Sequence, residues 1–189
     1  MKPAALIALM AASMMFGQGI RRPEALPAEI GPATITVTGI SGSTATLTAG
    51  DLYQMPQQAV ETIDHGTAVT FEGVLLSDVL AKVRTPTGEA FNKTVASYYL
   101  VAEGQDGYKA VFSWAEIDST FAPQGYVVTK PNGKSYDGPF AYRQVFVVMK
   151  RDGKPLSNKD GPFELIVPGE KRYSRWVRQV KALTIRLAD

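Results

Sequence analysis

Apolar residues in this chain fall in short runs at spacing two, cut by Gly, Pro and Asp-Gly pairs. That pattern commits most of the sequence to strands joined by tight turns. Ala33 to Gly39 alternates Ile35 and Val37 with threonines, and Ser43 to Leu47 follows across a Gly-containing turn. The pair reads as a hairpin. Val60 to Ile63 and Ala68 to Phe71 flank His65-Gly66 as two more short strands. Val95 to Ala102 and Lys109 to Phe112 flank Gly104-Gln105-Asp106-Gly107, where Asp-Gly supplies the positive φ of a tight hairpin. Val145 to Met149 is an unbroken run of β-formers, suited to a buried strand, and Asp152-Gly153 turns the chain after it. Phe163 to Val167 is a further strand closed by Pro168-Gly169, and Trp176 to Leu187 is expected to end in a strand.

Helical signals are few. Thr48-Ala49-Gly50-Asp51 resembles a helix entry with Thr48 or Asp51 as cap, and Pro56 stops it. Val74, Leu75, Leu76, Val79, Leu80 and Val83 recur at helical spacing, predicting a helix from Leu75 to Arg84. Ser113-Trp114-Ala115-Glu116 is a capping box. Ala122 to Pro139 is polar and rich in Gly and Pro, predicting a long surface loop with a short strand at Tyr126 to Val128. No linker or repeat divides the chain, so the expectation is a single α+β domain around one or two sheets.

Composition excludes whole classes. At 189 residues, 45% hydrophobic and 20% charged, the chain is neither disordered, collagenous nor a coiled coil. A net charge of +2, with no basic helix or zinc pattern, removes nucleic acid as a partner. Met1 to Gly19 carries Lys2, an apolar run from Ala4 to Phe16 broken only by Ser13, and small residues at Gly17 and Gly19. This is the pattern of a secretory signal peptide. Thirteen helical residues rise about 20 Å, short of the ~30 Å hydrocarbon core, so no membrane span is expected in the mature chain. The expectation is therefore residues 1–19 as leader, residues 20–189 as the mature domain, and a periplasmic or secreted location. The chain has no cysteine and one histidine, His65. Disulfides, thiolate ligands, a cysteine nucleophile and a multi-imidazole zinc site are thereby excluded. A Ser-His-Asp triad would have to use His65, and no G-x-S-x-G elbow, phosphate loop or dinucleotide fingerprint accompanies it.

Charge is unevenly spread. Ile20 to Phe140 holds 8 Lys and Arg against 13 Asp and Glu, whereas Ala141 to Asp189 holds 11 against 5. Lys171, Arg172, Arg175, Arg178 and Lys181 lie together, interleaved with Tyr173 and Trp176. Such a cluster suits an anion site, where guanidinium forks hold phosphate or carboxylate; it equally describes a solvated basic face.

Five blocks then carry a resemblance. They are Phe71-Glu72-Gly73-Val74-Leu75-Leu76-Ser77-Asp78-Val79-Leu80, Asp106-Gly107-Tyr108, Asp152-Gly153-Lys154-Pro155-Leu156, Gly161-Pro162-Phe163-Glu164-Leu165-Ile166-Val167-Pro168-Gly169, and Arg175-Trp176-Val177. In that order they resemble the molybdopterin-binding domain of sulfite-oxidase-type oxidoreductases, over roughly Ile35 to Ile185. The resemblance implies a mostly β fold that cradles a pterin whose dithiolene binds molybdenum. It places Arg175, and with it Arg172, near the cofactor. Tyr108 would line the same cleft, with Lys171 beside the arginines and His65 as a cofactor contact or proton-transfer group. His65 is equally well read as a turn residue before Gly66. The departure lies in the stretch Val60 to Gly66, which holds no cysteine where the catalytic members supply their molybdenum thiolate. No Cys-ligated molybdenum is expected.

Three readings stay open: a non-catalytic module binding a small anion or pterin, an oxidoreductase whose molybdenum is held by dithiolene and oxo ligands alone, and a protein-interaction domain with a periplasmic partner. Arg21-Arg22 follow the apolar run rather than preceding it, which speaks against twin-Arg export of a loaded cofactor. The anion-cleft reading requires Arg175, Arg172 and Tyr108 to share one concave pocket.

Overall fold

The structure is a computed structural model that describes residues 34–85, 94–121, 127–129, 135–137 and 144–188. The leader, Arg21-Arg22 and much of the 122–139 loop lie outside them.

Threonine alternation builds the first hairpin as the sequence predicts: β1 (Thr34–Thr38) pairs antiparallel with β2 (Thr44–Thr48), burying Ile35, Val37 and Leu47. Thr48 then caps α1 (Ala49–Tyr53). Its backbone N–H and hydroxyl donate to Asp51 Oδ2 at 2.8 and 2.7 Å, while Asp51 N–H donates to Thr48 Oγ1 at 3.2 Å. β3 (Gln58–Asp64) and β4 (Thr67–Leu75) form the next hairpin. Its two-residue turn has positive φ at both His65 (48°) and Gly66 (85°), as a turn matching strand twist demands.

The helix expected from Leu75 to Arg84 is shorter: α2 spans Leu76–Leu80. Gly73, Val74 and Leu75 instead pair with Val148, Val147 and Phe146 of β9 (Phe146–Arg151). A strand partner from a distant part of the chain overrides the local helical spacing. The strand expected from Val95 begins at Tyr98, since Val95–Ser97 forms a single 3-10 turn. β5 (Tyr98–Gly104) and β6 (Lys109–Ser113) make the third hairpin, and the Ser113/Glu116 capping box opens α3 (Trp114–Ile117). Within the predicted loop, β7 (Val127–Thr129) pairs with β8 (Ser135–Asp137). β10 (Lys154–Pro155), β11 (Glu164–Ile166) and β12 (Val180–Leu187) complete the strands.

Two sheets result. The first has the order β2-β1-β12-β5-β6, antiparallel except for the parallel β1/β12 pair. The second has the order β10-β9-β4-β3, with β11 also paired to β9. Buried side chains of both, among them Leu100, Phe112 and Leu183 from the first and Phe71, Val147 and Leu165 from the second, form one core cluster. The small domain is thus mostly β with short helices, within the α+β class.

The C-terminal segment joins the sheets. Leu165 and Val177 exchange two backbone hydrogen bonds of 2.9 Å, and Val180 N–H donates to Phe163 O at 2.9 Å, so residues 177–180 run along β11. The same chain then enters the first sheet as β12, between β1 and β5. Gln179 makes the transition with φ 47°; its N–H donates to Asp160 O at 2.9 Å and its carbonyl accepts from Gln105 N–H at 3.0 Å.

The β4/β9 contact depends on Gly73, where the register shifts. A Cβ there would lie 2.2 Å from Val147 O and 2.5 Å from Val148 Cα, both backbone atoms that cannot swing aside. Gly73→Ala is therefore expected to cost about 1–3 kcal/mol or more by forcing the strands apart, read as a lowered urea midpoint. An unchanged midpoint would show that β4 and β9 separate freely at this point.

Candidate functional site

A cleft of about 430 Å³ opens where the C-terminal segment passes between the sheets. The β3–β4 turn contributes Asp64 and His65, β9 contributes Arg151, and the β5–β6 turn contributes Asp106 and Tyr108. Lys159, Asp160 and Glu164 come from the approach to β11, and Tyr173, Trp176 and Arg178 from the crossing segment. Its size falls in the range of small-molecule sites, roughly 300–1,000 Å³.

One wall is aromatic and tightly braced. The Tyr173 hydroxyl donates to Ile63 O at 3.1 Å and accepts from His65 N–H at 3.0 Å, bridging the β3–β4 turn. The His65 ring stacks on Tyr173 with centroids 4.6 Å apart and 20° between planes. Trp176 meets Tyr173 and Phe71 edge-on at 5.0 and 5.6 Å, and its indole N–H donates to Val167 O at 3.1 Å. Tyr108, on the opposite hairpin, donates its hydroxyl to Ser174 O.

The charges are mostly paired. Asp64 accepts from Arg151 Nη1 at 2.6 Å through Oδ2 and faces His65 Nδ1 at 2.6 Å through Oδ1. Burial alone would raise the Asp64 carboxyl, but these His65 and Arg151 hydrogen bonds outweigh it and hold the group below the usual carboxylate range. An ionised carboxylate only accepts, so the Nδ1 of His65 carries the proton and Nε2 is left as the free ring nitrogen of the neutral form. Arg178 Nε lies 3.0 Å from Asp160 Oδ1. Among the acids Glu164 is the exception. It is 5% exposed, and its one ion-pair contact within 4 Å among the described residues is Arg178 Nε at 3.9 Å, beyond hydrogen-bond reach. Burial, reinforced by the negative charge of Asp160 and only partly offset by Arg178, pushes its carboxyl up to about 8.

Of the residues singled out in the sequence, the structure brings His65 and Tyr108 to this cleft and leaves Arg175, Arg172 and Lys171 out of its lining. Arg175 is held elsewhere. Its Nε and Nη2 donate to Glu170 Oε1, its Nη1 donates to Glu116 Oε1 at 2.7 Å, and its guanidinium lies 5.0 Å from the Phe112 ring centre. Two carboxylates thus engage three of its five N–H donors. Arg172 and Lys171 are exposed on the turn leading into the crossing segment. The convergence of Arg175 and Arg172 with Tyr108 is therefore corrected: the cations of the cleft are Arg151, Arg178 and Lys159.

Arg178 belongs to the basic C-terminal cluster, and Asp64 lies in the cysteine-free stretch Val60 to Gly66. Glu164 carried a signal that went unused, a single acid enclosed by Phe163 and Leu165-Ile166-Val167. An ionisable group in an apolar strand is rarely buried without a purpose.

Comparison with known proteins supports the fold. No protein-family model matches the sequence, and no curated protein is similar to it in sequence. Among solved structures that resemble it is the sulfane dehydrogenase SoxCD from Paracoccus pantotrophus, at a TM-score of 0.53 and 17% identity. The match covers 80% of this chain but 37% of the SoxCD chain, so the present chain corresponds to a little over a third of that protein.

Two predictions follow from the charges. Arg175→Ala leaves Glu170 and Glu116 without their partner and is expected to lower stability by about 1–3 kcal/mol, the part-exposed setting keeping it below the cost of a fully buried pair. Urea denaturation measures this, and an unchanged midpoint would make the clasp dispensable. For Glu164, the folded chain keeps a proton that an unfolded glutamate, titrating near 4.5, has already lost. Its contribution to stability is therefore complete below pH 4.5 and is lost as pH rises through about 8. With one pKa unit worth about 1.4 kcal/mol, wild type should lose up to a few kcal/mol more than Glu164→Gln between pH 5 and pH 9. Parallel stability curves for the two proteins would contradict this.

Proposed function

We propose that this chain is an exported ligand-binding module on a sulfite-oxidase-type scaffold, taking a small anion-bearing or pterin-type ligand in the cleft without molybdenum chemistry of its own. The observation that carries the reading is the cleft itself: about 430 Å³, with one fixed aromatic wall and a polar lining. Flat heteroaromatic rings lie well against Tyr173 and Trp176. Lys159, which has no charged partner among the described residues, and the forks of Arg151 and Arg178 suit a phosphate or other anionic arm.

Molybdenum held by the chain fits poorly. The polypeptide has no thiolate to offer, and among the described residues no three His, Asp or Glu side chains are grouped as metal ligands. Asp64 is engaged by both His65 and Arg151, and Asp64 and His65 are harder donors than a sulfur-ligated metal prefers. No catalytic step through the metal is assigned. Export rests on the N-terminal leader pattern, and no helix among the described residues is long and apolar enough to cross a membrane.

The full chain, expressed with its leader in a bacterium that makes molybdopterin and recovered from the periplasm, provides the test. Expected are a mature N-terminus near Ile20, substoichiometric molybdenum by elemental analysis, and saturable binding of a soluble pterin monitored by its fluorescence. One tightly held molybdenum per chain would overturn the non-catalytic reading, and failure of pterins and phosphate-bearing pterins to bind would overturn the ligand.

A further inference from the structure

The ion pairs of the cleft leave one charge of each sign unspent. Asp64 is matched by Arg151 at 2.6 Å and faces the His65 ring at 2.6 Å. Arg178 stands between Asp160, at 3.0 Å, and Glu164, at 3.9 Å, and Asp160 also accepts from the Ser157 hydroxyl at 2.7 Å. Asp106 and Lys159 remain, and neither takes part in an ion pair among the described residues. They belong to different sheets. Asp106 lies in the turn between β5 and β6 of the first, Lys159 on the approach to β11 of the second, and both are exposed. Asp106 gives Oδ1 to the Tyr108 N–H at 2.9 Å, which leaves Oδ2 for a ligand.

A lining that offers an anion from one sheet and a cation from the other is complementary to a molecule carrying both charges. The rings decide which cation. His65, Tyr108, Tyr173 and Trp176 make up four of the eleven lining residues. A primary ammonium is strongly hydrated and asks for three acceptors. A quaternary ammonium has no N–H, and aromatic faces stabilise it best once it is desolvated. The single positive charge of Lys159 balances one carboxylate. Resting on the small-ligand reading above, we infer that the anion-bearing ligand of this cleft is a betaine-type zwitterion, its quaternary ammonium among the rings beside Asp106 and its carboxylate on Lys159. Such a ligand is neutral as a whole, so it brings no net charge to a site whose other acids and cations already face one another.

Two zwitterions test this, glycine betaine and its longer homologue γ-butyrobetaine. Each is compared with the isosteric carboxylate in which a quaternary carbon replaces the nitrogen, so that shape is kept and only the positive charge is lost. In titration calorimetry of the wild-type chain at least one zwitterion should bind about threefold to thirtyfold more tightly than its isostere, the range of a cation held by aromatic faces. Glycine, with its primary ammonium, should bind more weakly than glycine betaine, and the reverse order would overturn the quaternary head. Asp106→Asn retains an oxygen for the Tyr108 N–H and should bring zwitterion and isostere together in affinity. Lys159→Met should weaken both alike and keep the preference.

Equal wild-type affinity for zwitterion and isostere, or a preference that survives in Asp106→Asn, would overturn the inference and leave the anion site standing. Unweakened binding in Lys159→Met would remove the carboxylate from Lys159 and overturn it as well. Binding of pterins but of neither zwitterion would overturn this inference alone, whereas binding of none of these compounds would overturn the ligand-binding reading with it. Both substituted positions are exposed turn residues, and the wild-type comparison stands without either variant.

Discussion

The double hydrogen bond between Leu165 and Val177 is the constraint on which the site depends. It holds the C-terminal segment against the second sheet for a few residues before the chain becomes the central β12 of the first. Sheets of alternating apolar residues can pack in many relative positions, since dispersion and burial are not directional. A strand shared between them removes that freedom. The side chains of the crossing segment are consequently fixed with respect to both sheets, and three of them, Tyr173, Trp176 and Arg178, face the cleft. Position in the topology, rather than any local motif, makes this region the candidate site.

Charge pairing divides the basic C-terminal cluster into two roles. Arg175 serves the architecture, tying Glu170 on its own segment to Glu116 of α3 while lying over Phe112. Arg178 turns into the cleft but spends its Nε on Asp160. Guanidinium groups are suited to both tasks because their donors form a planar fork, so residue type alone does not separate them. The partners do. Glu116 is held below the usual carboxylate range although burial opposes this, because Arg175 and Ser113 both donate to it, the signature of a satisfied structural pair.

Features decided by neighbouring residues were legible in the sequence. The capping boxes at Thr48 and Ser113, the Asp152-Gly153 turn and the buried run at Val145 to Met149 each depend on contacts within a few positions. The helix drawn from Leu75 failed at its first residue because the decisive partner, Phe146, lies in another hairpin. The same limit governs the site. Glu116 is 59 residues from Arg175 and Arg151 is 87 from Asp64, so nothing nearby in the sequence told a clasp from a ligand contact. The family resemblance singles out His65 and Tyr108, and the fold brings both to the lining of one cleft. Glu164 sits within a strand pattern, and its only local mark is the apolar residues on either side.

The hydroxyl of Tyr173 makes one phenol ring both a face of the cleft and the latch of the β3–β4 turn, through Ile63 and His65. The cavity cannot widen on that side without unlatching the hairpin, so a guest meets a jaw of set gauge there. Lys159, exposed in the same lining, carries no such constraint. Under the proposed ligand-binding function, such a frame would be strict about a ring held on that side and tolerant of what trails from it.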